Sequence, residues 1–248
     1  MSRPVGAVHF QPQDVVERAY LLPPRSRPLL LVGRSATEVE PLIRALESAG
    51  RQVVRHHPGE SWIAHLPAET GTPTRDHVWE PALVVRRALA HRGRLRGSTA
   101  LDLACGSGRN AVFLAMAGMQ VTAIDVLPDA LERVSDLAQR HRVRIRTLRG
   151  DLSQPAALHD QRADLIVVAR FLERGLFAQI EDALLPGGIL AYETFVQGQP
   201  RQHPRNPRFL LQAGELRTAF PRLVTLEYES DNSTDAHVDR LIARRPTS

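Results

Sequence analysis

Ala100-Leu-Asp-Leu-Ala-Cys-Gly-Ser-Gly-Arg-Asn-Ala111, followed by an apolar run that closes on Asp125, is the stretch that decides the fold. Thr99 to Leu103 reads as a short buried strand with one acid, Asp102, inside it. Gly106 and Gly108 let the backbone turn tightly and approach a ligand without interference from a Cβ. Arg109 to Ala117 then has helical spacing, with Val112, Phe113 and Met116 on one side. The free N–H groups at such a helix start favour negative charge. Gly106, Gly108 and Ala111 also satisfy the G-x-G-x-x-G/A pattern of nicotinamide-binding folds, so the turn by itself leaves the cofactor open.

Its neighbours narrow the reading. Gln120 to Asp125 is a second strand with a carboxylate at its carboxyl end, where it can accept two hydrogen bonds from ribose hydroxyls. Val143 to Arg149 is a third strand, followed by Gly150-Asp151, which can reach an adenine edge. Ala163 to Ala169 is a fourth, apolar enough to be central. A helix over 176–184 leads through Pro186-Gly187-Gly188 to a fifth strand, Ile189 to Phe195. After a long loop, a helix over 213–220 and strands near 223–229 and 237–244 complete the sheet, with a turn among the charges of 229–239. The expected fold class is α/β: a doubly wound, Rossmann-like sheet of about seven strands, the last antiparallel, with ligands at the carboxyl ends of the strands.

Asp-Leu-Ala-Cys-Gly-Ser-Gly, Asp125, Gly150-Asp151 and Leu185-Pro-Gly-Gly-Ile-Leu190 together resemble the motifs of class I S-adenosylmethionine-dependent methyltransferases, over roughly Pro73 to Arg244. Tyr192-Glu-Thr-Phe195, Arg205-Asn-Pro-Arg-Phe-Leu-Leu211 and Gly214-Glu-Leu216 resemble, more narrowly, the tellurite-resistance-type methyltransferases. The resemblance implies S-adenosylmethionine as cofactor. It also implies cofactor contacts at Asp102, Ala104, Gly106, Gly108, Asn110, Asp125, Val126, Asp151 and Leu152.

Composition frames these expectations. The chain has 248 residues, 43% hydrophobic and 24% charged, as ordinary globular proteins do. No run reaches the roughly 18 apolar residues of a membrane span, and Met-Ser-Arg-Pro-Val-Gly carries no apolar secretory region; the expectation is a cytoplasmic, soluble protein. A single cysteine excludes an internal disulfide and a cysteine-cluster zinc site. All 32 basic residues are arginine and the net charge is +5. The arginines are scattered rather than gathered in one block, and no zinc-finger, RNA-recognition or homeodomain signature accompanies them, so nucleic acid is not the favoured partner. Oligomeric state is not legible.

Two parts are expected: an N-terminal extension over 1–72 and a methyltransferase domain over 73–248. Residues 1–27 are rich in proline and arginine. Leu29 to Val32 reads as a strand, Ser35-Ala-Thr-Glu38 as a capping box, and Val39, Leu42, Ile43, Leu46 and Ala49 as one helical stripe stopped at Gly50. With a strand over 52–55 this makes a small β-α-β piece. It resembles part of a rhodanese-like domain but lacks the reactive cysteine, because Cys105 lies in the glycine turn. Residues 56–75 read as a linker and 78–91 as a helix covering the sheet, with Trp79 either a core anchor or a residue near the site.

Methyl transfer needs alignment and exclusion of water more than a catalytic dyad, since the cofactor carries the activation. A general base is required only for a nucleophile that arrives protonated. Asp102 is costly to bury unpaired; pairing with the amino group of the cofactor's methionine resolves that cost, and capping the turn is the alternative. Asp151 could equally be a helix cap. Cys105 reads as a small packed residue. Cysteine-dependent pyrimidine methyltransferases place their thiol after the fourth strand, where this chain has Arg170. The Asn/Asp-Pro-Pro-aromatic turn of enzymes that methylate exocyclic base nitrogens is replaced by Ala169-Arg-Phe-Leu172, which argues against base flipping. Arg170 is the candidate catalytic residue, a fixed cation for an oxyanion or carboxylate. Arg201, Arg205 and Arg208 in the Val196–Leu211 loop either add to it or form a solvated face, and His203 reads as a surface residue. One of Tyr192 and Glu193 is expected to face inward by strand alternation. The reading is methyl transfer to a small anionic or soft nucleophilic acceptor. Its alternatives are an RNA or protein methyltransferase, a nicotinamide reductase and a non-catalytic cofactor-binding scaffold.

Overall fold

The structure is a computed structural model that describes residues 3–4, 10–17, 22, 28–33, 35–54, 68–69, 80–93, 95–198, 204, 206–233 and 236–247. The chain divides into two compact units, Met1–Glu80 and Pro81–Ser248.

In the first unit, β1 (Arg3–Pro4), α1 (Asp14–Glu17), β2 (Leu29–Leu30), α2 (Ala36–Ser48), β3 (Val53–Val54) and β4 (Ala68–Glu69) follow in order. The β-α-β piece forms as expected, with β2 and β3 parallel. Ser35 caps α2 by accepting the Glu38 N–H at 3.2 Å, and Val39, Ile43 and Leu46 are buried. Pro41 sits in the second turn of α2, where it removes one intrahelical bond. The expected linker contains β4, which pairs antiparallel with β1.

The second unit runs α3 (Leu83–Ala90), β5 (Thr99–Leu103), α4 (Arg109–Met116), β6 (Gln120–Asp125), α5 (Pro128–Arg140), β7 (Ile145–Arg149), β8 (Ala163–Ala169), α6 (Phe177–Ala183), β9 (Leu184–Phe195), α7 (Glu215–Thr218), β10 (Val224–Ser233) and β11 (Ala236–Arg244). Its sheet has the order β10-β11-β9-β8-β5-β6-β7. Strands β5 to β9 are parallel, and β11 is antiparallel to both β9 and β10. The expected seven strands with the last antiparallel are therefore present.

Apolar side chains alternate between two cores because the central strands are covered on both faces. Ala100, Val167 and Ala191 pack with Val85, Ala111 and Val134 of α3, α4 and α5. Leu101, Leu103, Ile166 and Tyr192 pack with Ile180, Leu216 and Phe220 on the other side.

Several boundaries differ from the sequence reading, each for a local reason. α3 begins at Leu83, where Asn110 Oδ1 captures the Ala82 N–H at 2.9 Å. β7 begins at Ile145, because the Val143 N–H still closes the preceding helix on Ala138 O. β9 begins at Leu184, so Pro186-Gly187-Gly188 lies inside the strand as a register shift against β8 rather than ahead of it. There the Gly187 N–H donates to Arg245 O and the Arg245 N–H to Gly188 O, which satisfies the bulged backbone. The helix expected over 176–184 becomes a 3-10 turn, Arg174–Leu176, followed by α6. α7 is only four residues long, starting after a left-handed Gly214. The β10–β11 hairpin extends to Ser233 and Ala236, which shortens the expected charged turn.

Candidate functional site

The carboxyl ends of β5, β6, β8 and β9 form one rim, and the glycine turn lies on it. Ala104, Gly106 and Gly108 all take left-handed backbone, with φ of 53°, 55° and 80°. At Gly106 a Cβ would meet nothing within 4 Å, so the turn faces open space there. At Gly108 a Cβ would sit 2.7 Å from Val134 Cγ2, so this glycine is required by the close approach of α5. The Gly108 carbonyl accepts the Val112 N–H, which starts α4.

Two carboxylates converge on this turn. Asp125, buried at the end of β6, accepts the Gly106 N–H at 2.9 Å through Oδ2 and the Leu127 N–H at 3.0 Å through Oδ1. It braces the turn, and each of its oxygens keeps a second lone pair for a ligand hydroxyl. Asp102 is 1% exposed and accepts the Ala111 N–H at 3.0 Å. Burial pushes its carboxyl up to about 7, against the opposing pull of that hydrogen bond and of Arg109. A cation seated beside Asp102 would return it to the ionised form. Arg109 stands at the first position of α4, where the helix dipole disfavours a cation; Asp102 and Glu193 supply the compensating charge, while burial weakens its basicity.

The other expected contacts take varied positions. Val126 and Leu127 are apolar yet 49% and 56% exposed, directly after Asp125. Leu152 is buried in the core. Asp151 is exposed and caps its own turn, accepting the Ser153 N–H at 2.9 Å, the Ser153 hydroxyl at 2.7 Å and Gln154 Nε2 at 2.9 Å. These bonds hold its carboxyl below the usual range. Cys105 is buried, and burial pushes its thiol up, as suits a packed residue.

Across the rim, Arg170 follows β8 in a left-handed conformation, φ 60°, uncommon for a residue with a Cβ. Its N–H donates to Glu193 O at 2.7 Å. Tyr192 and Glu193 are both buried, because β9 is covered on both faces. The Tyr192 hydroxyl donates to Phe171 O in one core. On the opposite face Glu193 receives Arg240 Nε at 2.6 Å, and Arg240 also reaches Asp231 at 3.0 Å and Glu229 at 3.3 Å. Arg208 is exposed and pairs with Glu173 at 3.2 Å. Trp79, Arg201, His203 and Arg205 lie outside the described residues.

Residues 100–188 match the family model described as a methyltransferase domain. Hemagglutinin 1 of Eikenella corrodens is 33% identical to the chain over 138 residues, 52% of this chain and 45% of that protein. The ribosomal protein L11 methyltransferase of Sodalis glossinidius is 36% identical over 110 residues, 42% of this chain and 36% of that protein. The chain thus spans less than half the length of these two relatives.

Among solved structures, TehB from Haemophilus influenzae superposes with a TM-score of 0.54 at 22% identity, covering 65% of this chain and 61% of that one. The N-methyltransferase NodS from Bradyrhizobium japonicum WM9, solved in complex with S-adenosyl-L-homocysteine, gives 0.51 at 25% identity, covering 66% and 84%. The fold of the second unit is the Rossmann-like methyltransferase fold. The domain match takes in the glycine turn, Asp125, Asp151, Arg170 and the Pro-Gly-Gly bulge.

Within the stretch that matches this model, the structure brings Asp102, Ala104, Gly106, Gly108 and Asp125 around one turn. Asn110 is turned instead toward the start of α3. Sequence reasoning passed over Arg109 and Arg240. An arginine directly at a helix start was a legible signal for the first, since the helix dipole demands a carboxylate partner there. Nothing local marked the second, which meets Glu193 only through the β9–β11 pairing. Among the described residues, no group of histidine, cysteine and acidic side chains could hold a metal ion, and no helix is long and apolar enough to cross a membrane.

Proposed function

We propose that this protein transfers a methyl group from S-adenosylmethionine to a small acceptor that is anionic or a soft nucleophile. The observation that carries this reading is the convergence of Asp102 and Asp125 on an open, left-handed glycine turn inside a methyltransferase domain. When bound, S-adenosylmethionine supplies a methyl group already activated on a sulfonium. Asp102 pairs with the donor's ammonium group, which compensates the burial of its carboxylate. Asp125 accepts from ribose hydroxyls while holding Gly106, and Val126 and Leu127 offer apolar surface to the adenine. Arg170, its backbone held by the bond to β9, is the cation for an acceptor's negative charge. Asp151 and Leu152 complete the adenine side. The first unit is an appendage without sulfur-transfer chemistry in this reading.

Titration calorimetry with S-adenosylhomocysteine tests the cofactor assignment. Asp125→Ala should weaken binding by about 10- to 100-fold, the scale of lost charge-assisted hydrogen bonds; unchanged affinity would remove the ribose assignment. 3-Mercaptopropionate, a soft nucleophile that carries a carboxylate, is the acceptor probe. Methylation of purified ribosomal protein L11 in preference to the thiol would favour a second reading, a protein acceptor, which rests on the similarity to the ribosomal protein L11 methyltransferase. Binding with no turnover of either would favour a scaffold.

A further inference from the structure

Arg174 lies in the 3-10 turn beyond β8, and its guanidinium makes four hydrogen bonds across the rim. Nε and Nη2 donate to the two carboxylate oxygens of Glu215 at 2.6 and 2.8 Å. Nη1 donates to Arg208 O at 2.9 Å, and Nη2 also reaches Leu210 O at 3.1 Å. Glu215 in turn accepts the Gln212 N–H at 2.8 Å, and Glu173, one residue before Arg174, pairs with Arg208. The pair holds the Arg174 guanidinium above and the Glu215 carboxyl below their ordinary ranges, chiefly through the bond between them.

This one side chain ties down the stretch 206–212, and the backbone shows what that stretch does. The Leu211 N–H donates to Phe195 O at 2.9 Å, and the Gln197 N–H donates to Leu211 O at 2.8 Å. β11 occupies the opposite edge of β9 at this level. Leu211 therefore continues the sheet on the edge that β8 leaves at Ala169. On that same edge the Arg170 N–H takes Glu193 O, two residues back along the strand. Two residues of strand are about 7 Å, so Arg170 and Leu211 are neighbours on the rim.

We propose that Arg174 and Glu215 are positioning residues of the acceptor side: their bidentate pair sets the 206–212 stretch as a wall beside Arg170. The pair does not touch the donor's turn, and it acts on the acceptor only through the wall. An arginine is required because a planar fork satisfies a carboxylate and two carbonyls at once, which an ammonium does not. The acceptor role rests on the proposed function above; the wall itself does not.

Arg174→Gln and Glu215→Gln test it in the full chain. Trypsin cleavage at Arg208–Phe209, whose carbonyl Arg174 holds, should be at least tenfold faster in both variants, read by mass spectrometry. The dissociation constant of S-adenosylhomocysteine should stay within twofold of the wild type. The KM for 3-mercaptopropionate should rise about tenfold while the KM for S-adenosylmethionine stays unchanged, and Arg174→Lys should recover only part of the loss. Unchanged cleavage overturns the proposal whether or not the thiol is methylated. A parallel loss of S-adenosylhomocysteine affinity also overturns it, by showing that the pair supports the whole domain. Absence of thiol methylation in the wild type counts against the acceptor class alone, and cleavage and cofactor affinity then decide the wall.

Discussion

The two halves of the rim are built by different means. The half of the rim proposed to hold the donor, from Asp102 to Leu127, is held by hydrogen bonds between residues close in sequence or on adjacent parallel strands. The Asp102–Ala111 bond spans 9 positions and the Asp125–Gly106 bond 19. The half proposed to face the acceptor is held by charged side chains far apart in the chain. Arg174 and Glu215 are 41 positions apart, and Arg240 and Glu193 are 47 apart. A backbone cradle for a fixed cofactor needs rigid local geometry, which glycines and caps provide. A wall for an acceptor is assembled from insertions and strand edges, and ion pairs are what join them.

The sharpest test of this contrast is Arg240→Leu. Glu193 is 5% exposed, and removing Arg240 takes away its hydrogen-bonded partner and leaves only the attraction of Arg109, a loss of about 3 kcal/mol, the low end for a broken buried pair. Urea denaturation should show it. A loss below 1 kcal/mol would mean that the long-range pairs do not hold the acceptor half. Gly108→Ala addresses the donor half. A Cβ at 2.7 Å from Val134 combined with φ 80° should cost roughly 2–4 kcal/mol. Val134→Ala in the same chain should recover part of it; no recovery would assign the cost to backbone strain alone.

The smallest expected effect is also the most specific. In the folded protein Asp102 titrates near 7 instead of 3.8, so the fold holds more protons than the unfolded chain between those values. Its contribution to stability is present below pH 3.8 and is lost as pH rises through 7. A cationic ligand reverses the preference, because it binds the ionised form. Affinity for S-adenosylhomocysteine should therefore rise up to about tenfold per pH unit below pH 7 and level off above it. Asp102→Asn should flatten the profile. A flat wild-type profile from pH 5.5 to 8.5 would separate Asp102 from the ammonium group.

The donor half was legible because its requirements are written in consecutive residues. Gly106 and Gly108 mark a left-handed turn, and an acid inside an apolar strand marks a compensated charge. The strand endings at Asp125 and Ala169 mark the rim. The acceptor half was legible only in outline. Arg170 could be placed after the fourth strand, but its bond to Glu193 depends on how far β9 runs past β8. Strand alternation predicted one inward residue of Tyr192 and Glu193; both are buried, since alternation tells the two faces apart but not which faces are covered. Pro-Gly-Gly was read as a turn ahead of a strand and is a bulge inside one, because Arg245 supplies its pairing.

The sequence by itself determined the order of elements, the doubly wound sheet and the place of the glycine turn, since all three follow from periodicity and from the backbone freedom of glycine. Only the tertiary structure decided which charges meet. Arg174 finds Glu215, and Arg240 finds Glu193, because strand order and register bring distant segments to one edge of β9. Spacing along the chain carries no information about that encounter.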